Sequence, residues 1–129
     1  MKSTAIIVAR LIFAFVFAMA ASIKFADMAG TAQQIASVGW PAPMLFAWLA
    51  ALLEVALAVA FLTGLYFTEA ALVAIPYILL LAFLFHGPNR FAANPMEFGF
   101  FVDHFVFVAG LLFAAVHGPG DRLVLRRRG

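Results

Sequence analysis

The chain has 129 residues, of which 67% are hydrophobic and 11% are charged, whereas a typical soluble domain is about half apolar and about a quarter charged. This composition excludes an ordinary soluble protein, and the absence of cysteine excludes disulfides, thiol catalysis and cysteine-ligated metal sites. A formal net charge of +2 is too small to indicate a nucleic-acid partner. We therefore expect an integral membrane protein whose main partner is the lipid bilayer. The strand-like alternation of a barrel is missing, so an all-α fold is predicted.

The first predicted membrane span covers about residues 5–25. Its basic start and the motif Ala18-Met19-Ala20 are also compatible with a cleaved signal peptide. Arg10 inside the apolar run, and a length that suits a full crossing, favour a retained span. After this span, Thr31 is expected to cap a short interfacial helix that reaches Val38.

Three later apolar stretches are long enough to cross a bilayer. They cover about residues 44–64, 69–86 and 95–117. Gly64 is a predicted C-terminal cap of the second span, and Asn94 is a predicted N-terminal cap of the fourth. Because the connections are short, an up-down-up-down four-helix bundle is expected, forming a single transmembrane domain over residues 1–129.

Basic residues predict the orientation of the four spans. Two of them, Lys24 and Arg90, lie on the side opposite the termini. Six lie on the side of the termini: Lys2, Arg10, Arg122, Arg126, Arg127 and Arg128. Cytoplasmic segments carry the excess of Lys and Arg, so both termini are predicted to be cytoplasmic.

Glu54 is the most unusual residue of the predicted spans. It lies at the centre of the second span, where an unpaired carboxylate costs several kcal/mol, on the order of 3. Arg10 and Lys24 share one face of the first helix, and Arg10 is about one and a half turns inside the membrane. We therefore predict an intramembrane polar pair or ligand site formed by Glu54 and Arg10.

A second polar cluster is predicted nearer the outer surface. Lys24, His86, Asp103 and His104 come from three helices and are expected at similar depth. A metal site is not expected there, because Asp103 and His104 are adjacent on one helix and point about 100° apart. Arg10 and Lys24 can alternatively extend toward lipid headgroups, which leaves a purely structural interpretation open.

Motifs of independent catalysis are missing from the sequence. It contains no nucleophile elbow, phosphate-binding loop, dinucleotide fingerprint or HExxH motif, so no catalytic residue is predicted. Whether the protein takes part in an enzyme complex stays open.

Several motifs together resemble the DoxX family of small bacterial membrane proteins with four helices. They are Arg10, the segment Ala21-Ser-Ile-Lys24-Phe, the segment Gly39-Trp-Pro-Ala-Pro43, and Ala50-Ala-Leu-Leu-Glu54. The resemblance covers nearly the whole chain. It implies a multi-pass protein of the cytoplasmic (inner) membrane. In some branches of the family it also implies a link to quinone-dependent oxidation of sulfur compounds or to oxidative-stress complexes.

Our leading functional hypothesis is a small membrane subunit that binds a quinone or a similar amphipathic molecule. It would support redox work done with a partner protein, and homo-oligomers are possible within this hypothesis. One alternative is a unit that conducts protons or small solutes. Another is a non-catalytic subunit in which the buried charges only fix the helix register.

Overall fold

The structure, a computed structural model, describes residues 2–125. Within this range the protein is all-α, as predicted, and has five α-helices and one short 3-10 helix. The helices are α1 (Lys2–Ala26), α2 (Met28–Ser37), α3 (Pro43–Thr63), α4 (Phe67–His86) and α5 (Met96–His117), with the 3-10 helix Pro88–Arg90 after α4. Four of them, α1, α3, α4 and α5, are long and apolar enough to cross a membrane. The predicted all-α membrane fold is confirmed.

The chain forms two compact units, which we describe separately. The first contains α1, α2 and α3 together with the C-terminal segment that begins at Pro119. The second is Phe67–Gly118 and contains α4 and α5.

Helices α1 and α3 of the first unit pack side by side in opposite directions. The ring of Phe17 stacks on that of Phe61, with centroids 5.8 Å apart. Seven residues after Phe17, Lys24 contacts Glu54, which lies seven residues before Phe61. Contacts that advance along one helix while they retreat along the other define an antiparallel pair. The buried faces carry many small residues, which allow close approach: Ala14 and Ala21 on α1, and Ala47 and Ala51 on α3.

Helix α2 is the short helix predicted between the first two spans, but it starts earlier than Thr31. The carboxylate of Asp27 accepts a hydrogen bond from the backbone N–H of Gly30 at 2.9 Å. Asp27 is therefore the N-cap, and the hydroxyl of Thr31 donates to the Asp27 carbonyl within the first turn. Aspartate is a strong capping residue, so α2 follows α1 almost directly. It packs against α3 with Ala32 buried.

The end of α3 meets the C-terminal part of the chain. Gly64 closes the helix as predicted, with a φ of 76° and its N–H bonded to the Ala60 carbonyl. The segment Pro119–Leu125, which we call the C-terminal strap, returns to this end. The N–H of Leu125 donates to the carbonyl of Thr63 at 2.8 Å. Three arginines of the predicted basic tail, Arg126, Arg127 and Arg128, lie outside the described residues.

In the second unit, α4 and α5 also run antiparallel. Phe83 makes an edge-on contact with Phe101, with ring centroids 5.1 Å apart, and one turn later His86 contacts Glu97 at the start of α5. Helix α4 continues through Pro76 without a break in its helical assignment. The N-cap of α5 is Pro95, one residue after the predicted cap Asn94, whose side chain accepts from the N–H of Met96 at 3.1 Å.

Candidate functional site

An ion pair between Lys24 and Glu54 lies between α1 and α3. The Lys24 Nζ is 2.7 Å from Oε1 of Glu54 and 3.1 Å from Oε2, so the ammonium bridges both carboxylate oxygens. The Glu54 side chain is 2% exposed, whereas that of Lys24 is 21% exposed. The ammonium and the carboxylate therefore form a charge-assisted hydrogen bond. The carboxylate is thus buried but paired with a cation that reaches the surface of the unit.

The register of the two helices explains why Lys24 reaches Glu54. Phe17 and Phe61 are level with each other. Lys24 follows Phe17 by seven residues on α1, and Glu54 precedes Phe61 by seven residues on α3. Because the helices are antiparallel, both steps run in the same direction and cover about 10 Å at 1.5 Å per residue. Seven residues are close to two helical turns, so both side chains remain on the facing sides. The packing of the two phenylalanines therefore places the ion pair.

Arg10 lies on the buried face of α1, two turns before Phe17, and is 2% exposed. Among residues 2–125, the acceptors of its guanidinium are all backbone carbonyls of the first unit. Two of these belong to the last turn of α3, Phe61 at 3.1 Å and Leu62 at 2.9 Å. Three belong to the C-terminal strap: Pro119 at 3.4 Å, Arg122 at 2.8 Å and Leu123 at 2.7 Å.

The predicted contact between Arg10 and Glu54 is therefore replaced by another pairing. The prediction placed Arg10 roughly 7 Å below the level of Glu54, at about 1.5 Å per residue, and expected the long arginine side chain to close that gap. In the structure, α1 is offset along α3, so Arg10 reaches the carbonyl of Leu62 at the C-terminal end of α3. Lys24, predicted to lie closer to the outer surface than Glu54, is level with it instead. Arg10 acts as a cap of α3, because cations complement the negative end of a helix dipole.

An apolar groove runs along the surface between α1 and α3. Its volume is about 310 Å³. The lining residues are Ala14, Ala18, Ala21, Ser22 and Phe25 of α1 and Val55, Ala58, Val59 and Leu62 of α3. Ala21 lies three residues before Lys24, and Val55 directly follows Glu54. Small side chains on both helices leave this space open.

The four residues of the predicted outer cluster do not share one set of contacts. Lys24 belongs to the ion pair with Glu54. His86 contacts Glu97 through its Nδ1, and its ring is 5.2 Å from the ring of His104. His104 itself bonds to the carbonyl of Phe100 through Nδ1.

Asp103 takes no part in the histidine contacts and is exposed. Along residues 2–125, no three His, Asp or Glu side chains are arranged to share a metal ion.

Glu97 was not identified from the sequence as a partner of His86. His86 ends α4 and Glu97 follows the start of α5 by one residue. The short connection between two antiparallel helices is the signal that could have paired them, since it brings the end of one helix beside the start of the next.

Comparison with known proteins agrees with this architecture. A sequence model of the DoxX family matches residues 5–87, which include Arg10, Lys24 and Glu54. The chain is 31% identical to the Inner membrane protein YqjF of Escherichia coli (strain K12) over 131 residues, covering 98% of this chain and 97% of that protein. No solved structure matches the chain. With four helices of membrane-spanning length and a match to most of the chain, this multi-pass membrane protein belongs to the DoxX family.

Proposed function

We propose that the protein is a small subunit of the inner membrane that binds a quinone, or a similar amphipathic molecule, between α1 and α3. In this proposal it supports a membrane redox system together with a partner protein. The observation that carries the proposal is an apolar groove of about 310 Å³ whose lining residues Ala21 and Val55 are close in sequence to the ion pair of Lys24 and Glu54. Ligand sites commonly combine an apolar cleft with a few polar groups that fix orientation.

The two charged residues have complementary uses toward a quinone. The Lys24 ammonium has three donors, and two of them are directed at Glu54, so a further donor is available for a ligand oxygen. Glu54 is an acceptor when ionised and a donor when protonated. The groove supplies alanine, valine and leucine surface for an apolar tail. The polar head of the ligand would then lie at the Lys24 end of the groove.

Reduction of a quinone to a quinol consumes two electrons and two protons. Protons could reach the quinone oxygens from the Lys24 ammonium or from a protonated Glu54, each of which would be reprotonated from water. The sequence contains no cysteine and no motif for a redox cofactor. The electrons are therefore assigned to a partner protein that carries a flavin or a metal centre. Oxidation of a quinol would run the same steps in reverse.

The inner-membrane location and the orientation are part of the same proposal. The relative YqjF is described as an inner membrane protein, and the excess of basic residues near the termini favours cytoplasmic N- and C-termini. With this orientation, the link between α1 and α3 lies on the outer side. Lys24, two residues before the end of α1, is the group through which the pair would exchange protons with that side.

The test is the quinone content of the protein purified from its native membrane in mild detergent. Lipids and quinones are extracted with organic solvent and quantified per mole of protein. We expect bound quinone in the wild type and a loss of most of it in Glu54→Gln, which removes the charge that positions Lys24. Glu69→Gln is the matched control, because Glu69 is an exposed acid in the first turn of α4.

Two results would reject this function. One is wild-type protein without extractable quinone, even when it is purified from quinone-rich membranes. The other is a Glu54→Gln variant that keeps its full quinone content and leaves the quinone-linked respiration of the cells unchanged. A normal melting temperature of Glu54→Gln in detergent shows that a loss of quinone is not caused by unfolding.

A further inference from the structure

The C-terminal strap presents apolar side chains on its outer side. Val124 points inward, because a Cβ placed on Gly64 would lie 3.1 Å from its Cγ1. The residues on either side of Val124 point outward: Leu123 is 74% exposed and Leu125 is 60% exposed. Arg122, next to Leu123, is also exposed. The C-terminal strap, which lies outside the membrane-spanning helices, thus has two exposed leucines beside the cation of Arg122.

The backbone of the strap is held in place, so this pattern is a fixed feature of the surface. Arg10 donates to the carbonyls of Arg122 and Leu123 at 2.8 and 2.7 Å, and the N–H of Leu125 donates to Thr63. Leu123 has a φ of 52°, a left-handed conformation that a leucine adopts only when its surroundings impose it. The anchored carbonyl of Leu123 provides that constraint.

Exposed leucines beside cations are typical of segments that bind the surface of an anionic bilayer. Apolar side chains enter the boundary between headgroups and acyl chains, and nearby Lys and Arg residues attract anionic headgroups. The sequence continues after Leu125 with Arg126, Arg127 and Arg128, which adds three cations directly after the second leucine. Within the strap, charge and apolar surface therefore favour the same partner.

We propose that the C-terminal strap is a membrane-surface anchor that binds anionic phospholipid headgroups. Leu123 and Leu125 enter the headgroup boundary, and Arg122 pairs with lipid phosphates. Arg10 is the positioning residue of this anchor, because it fixes the backbone that presents the leucines. This role is separate from the quinone site, and neither depends on the other.

A fluorescent probe at Leu125 tests the anchor. The protein contains no cysteine, so Leu125→Cys accepts a single environment-sensitive label. The labelled protein is reconstituted into vesicles of phosphatidylcholine alone and of phosphatidylcholine mixed with phosphatidylglycerol. We expect emission shifted to shorter wavelength in the mixed vesicles, and we expect added salt to weaken the shift, because salt screens exposed charges. Ser37→Cys at the end of α2 is the control position, and its emission should not depend on phosphatidylglycerol.

A charge variant separates the headgroup contact from the fold of the strap. Arg122 gives only its carbonyl to Arg10, so Arg122→Gln removes the cation and keeps the anchoring bond. We expect the difference between the emission shifts of the Leu125 probe in the two vesicle types to fall about fivefold. This is roughly the contribution of one surface cation to the binding of anionic lipid. The control Arg90→Gln removes a cation from the 3-10 helix and should leave the preference unchanged.

The proposal is overturned if the Leu125 probe emits identically in both vesicle types, or if Arg122→Gln has no effect on the shift. A shift that appears at high protein density and disappears on dilution would also overturn it, because a second copy of the chain would then cover the leucines.

Discussion

Helix α1 carries two cations on one buried stripe, and the structure satisfies them in opposite ways. Arg10 donates to five backbone carbonyls, two from α3 and three from the strap. Lys24 bonds to one ionisable side chain, Glu54, and remains 21% exposed. The bonds of Arg10 therefore connect α1 with the end of α3 and the strap, whereas the bond of Lys24 joins two charged side chains.

The geometry of each cation suits its surroundings. A guanidinium has five N–H donors in a planar fork, which lets one side chain connect the end of α3 to a returning strap. An ammonium is a compact point charge with three donors and fits between two carboxylate oxygens. We therefore expect substitutions of Arg10 and of Lys24 to change the free energy of unfolding by different amounts.

The largest expected effect follows from Arg10→Met. This change leaves five carbonyls without their donor at once, and bonds to charged groups contribute about 1.5–3 kcal/mol each. Since some carbonyls will find water, we expect a loss of about 5 kcal/mol in the free energy of unfolding, measured by thermal or denaturant unfolding in detergent. Arg10→Lys should recover only part of this loss, because an ammonium cannot span all five acceptors.

The control for Arg10 is Arg90→Met, which removes an arginine that donates to no carbonyl among the described residues. Its effect should be much smaller than that of Arg10→Met. Equal losses in the two variants would mean that the bonds of Arg10 do not hold the end of α3 and the strap together.

The next largest effect concerns the ion pair. Lys24→Met or Glu54→Leu alone leaves one buried charge without its partner, and breaking such a pair costs about 3–5 kcal/mol. The double variant removes both charges and should be more stable than either single variant. A double-mutant cycle of unfolding free energies gives the coupling energy. Additive losses would contradict the pairing of the two residues, whereas a stable double variant that has lost quinone would separate function from stability.

A smaller effect is expected for Gly64→Ala at the junction of α3 and the strap. The left-handed φ of 76° disfavours a side chain, and the new Cβ would lie 3.1 Å from Val124 and 3.2 Å from Nη2 of Arg10. We expect a loss of about 1–2 kcal/mol. Gly99→Ala within α5 is the matched control, because its Cβ would meet nothing within 4 Å. It should be neutral or slightly stabilising, since alanine favours helix.

The smallest effect is predicted for the contact between His86 and Glu97 in the second unit. Both side chains are partly exposed, at 28% and 18%, and pairs of this kind contribute little. Glu97→Gln should change the unfolding free energy by about 0.5 kcal/mol. A change as large as that of Glu54→Leu would show that this contact is a second buried pair rather than a surface one.

The helices and their caps could be predicted from sequence, because these features depend on local residues. Four long apolar runs predicted α1, α3, α4 and α5, and Gly64 predicted the end of α3. The predicted N-cap of α2, Thr31, was wrong, because the observed cap is Asp27, a good capping residue four positions earlier.

The pairing of the charges could not be predicted in the same way. It depends on the axial offset between α1 and α3, which is set by the packing of Phe17 on Phe61 and by the α2 connection. Hydropathy contains no information on such an offset. The partners of Arg10 are backbone carbonyls, which have no residue signature, and no return of the strap to the end of α3 was predicted. Glu54 was nevertheless identified correctly as a buried charge that needs a partner.

The most direct test of the central claim is a redox difference infrared spectrum of the protein loaded with a short-chain ubiquinone. If the quinone head lies beside Lys24 and Glu54, its reduction should change the carboxyl band of Glu54. That change should be absent in Glu54→Gln and present in Glu69→Gln. A spectrum without any carboxyl change, or one that Glu54→Gln leaves intact, would contradict the assignment of this ion pair to the ligand site.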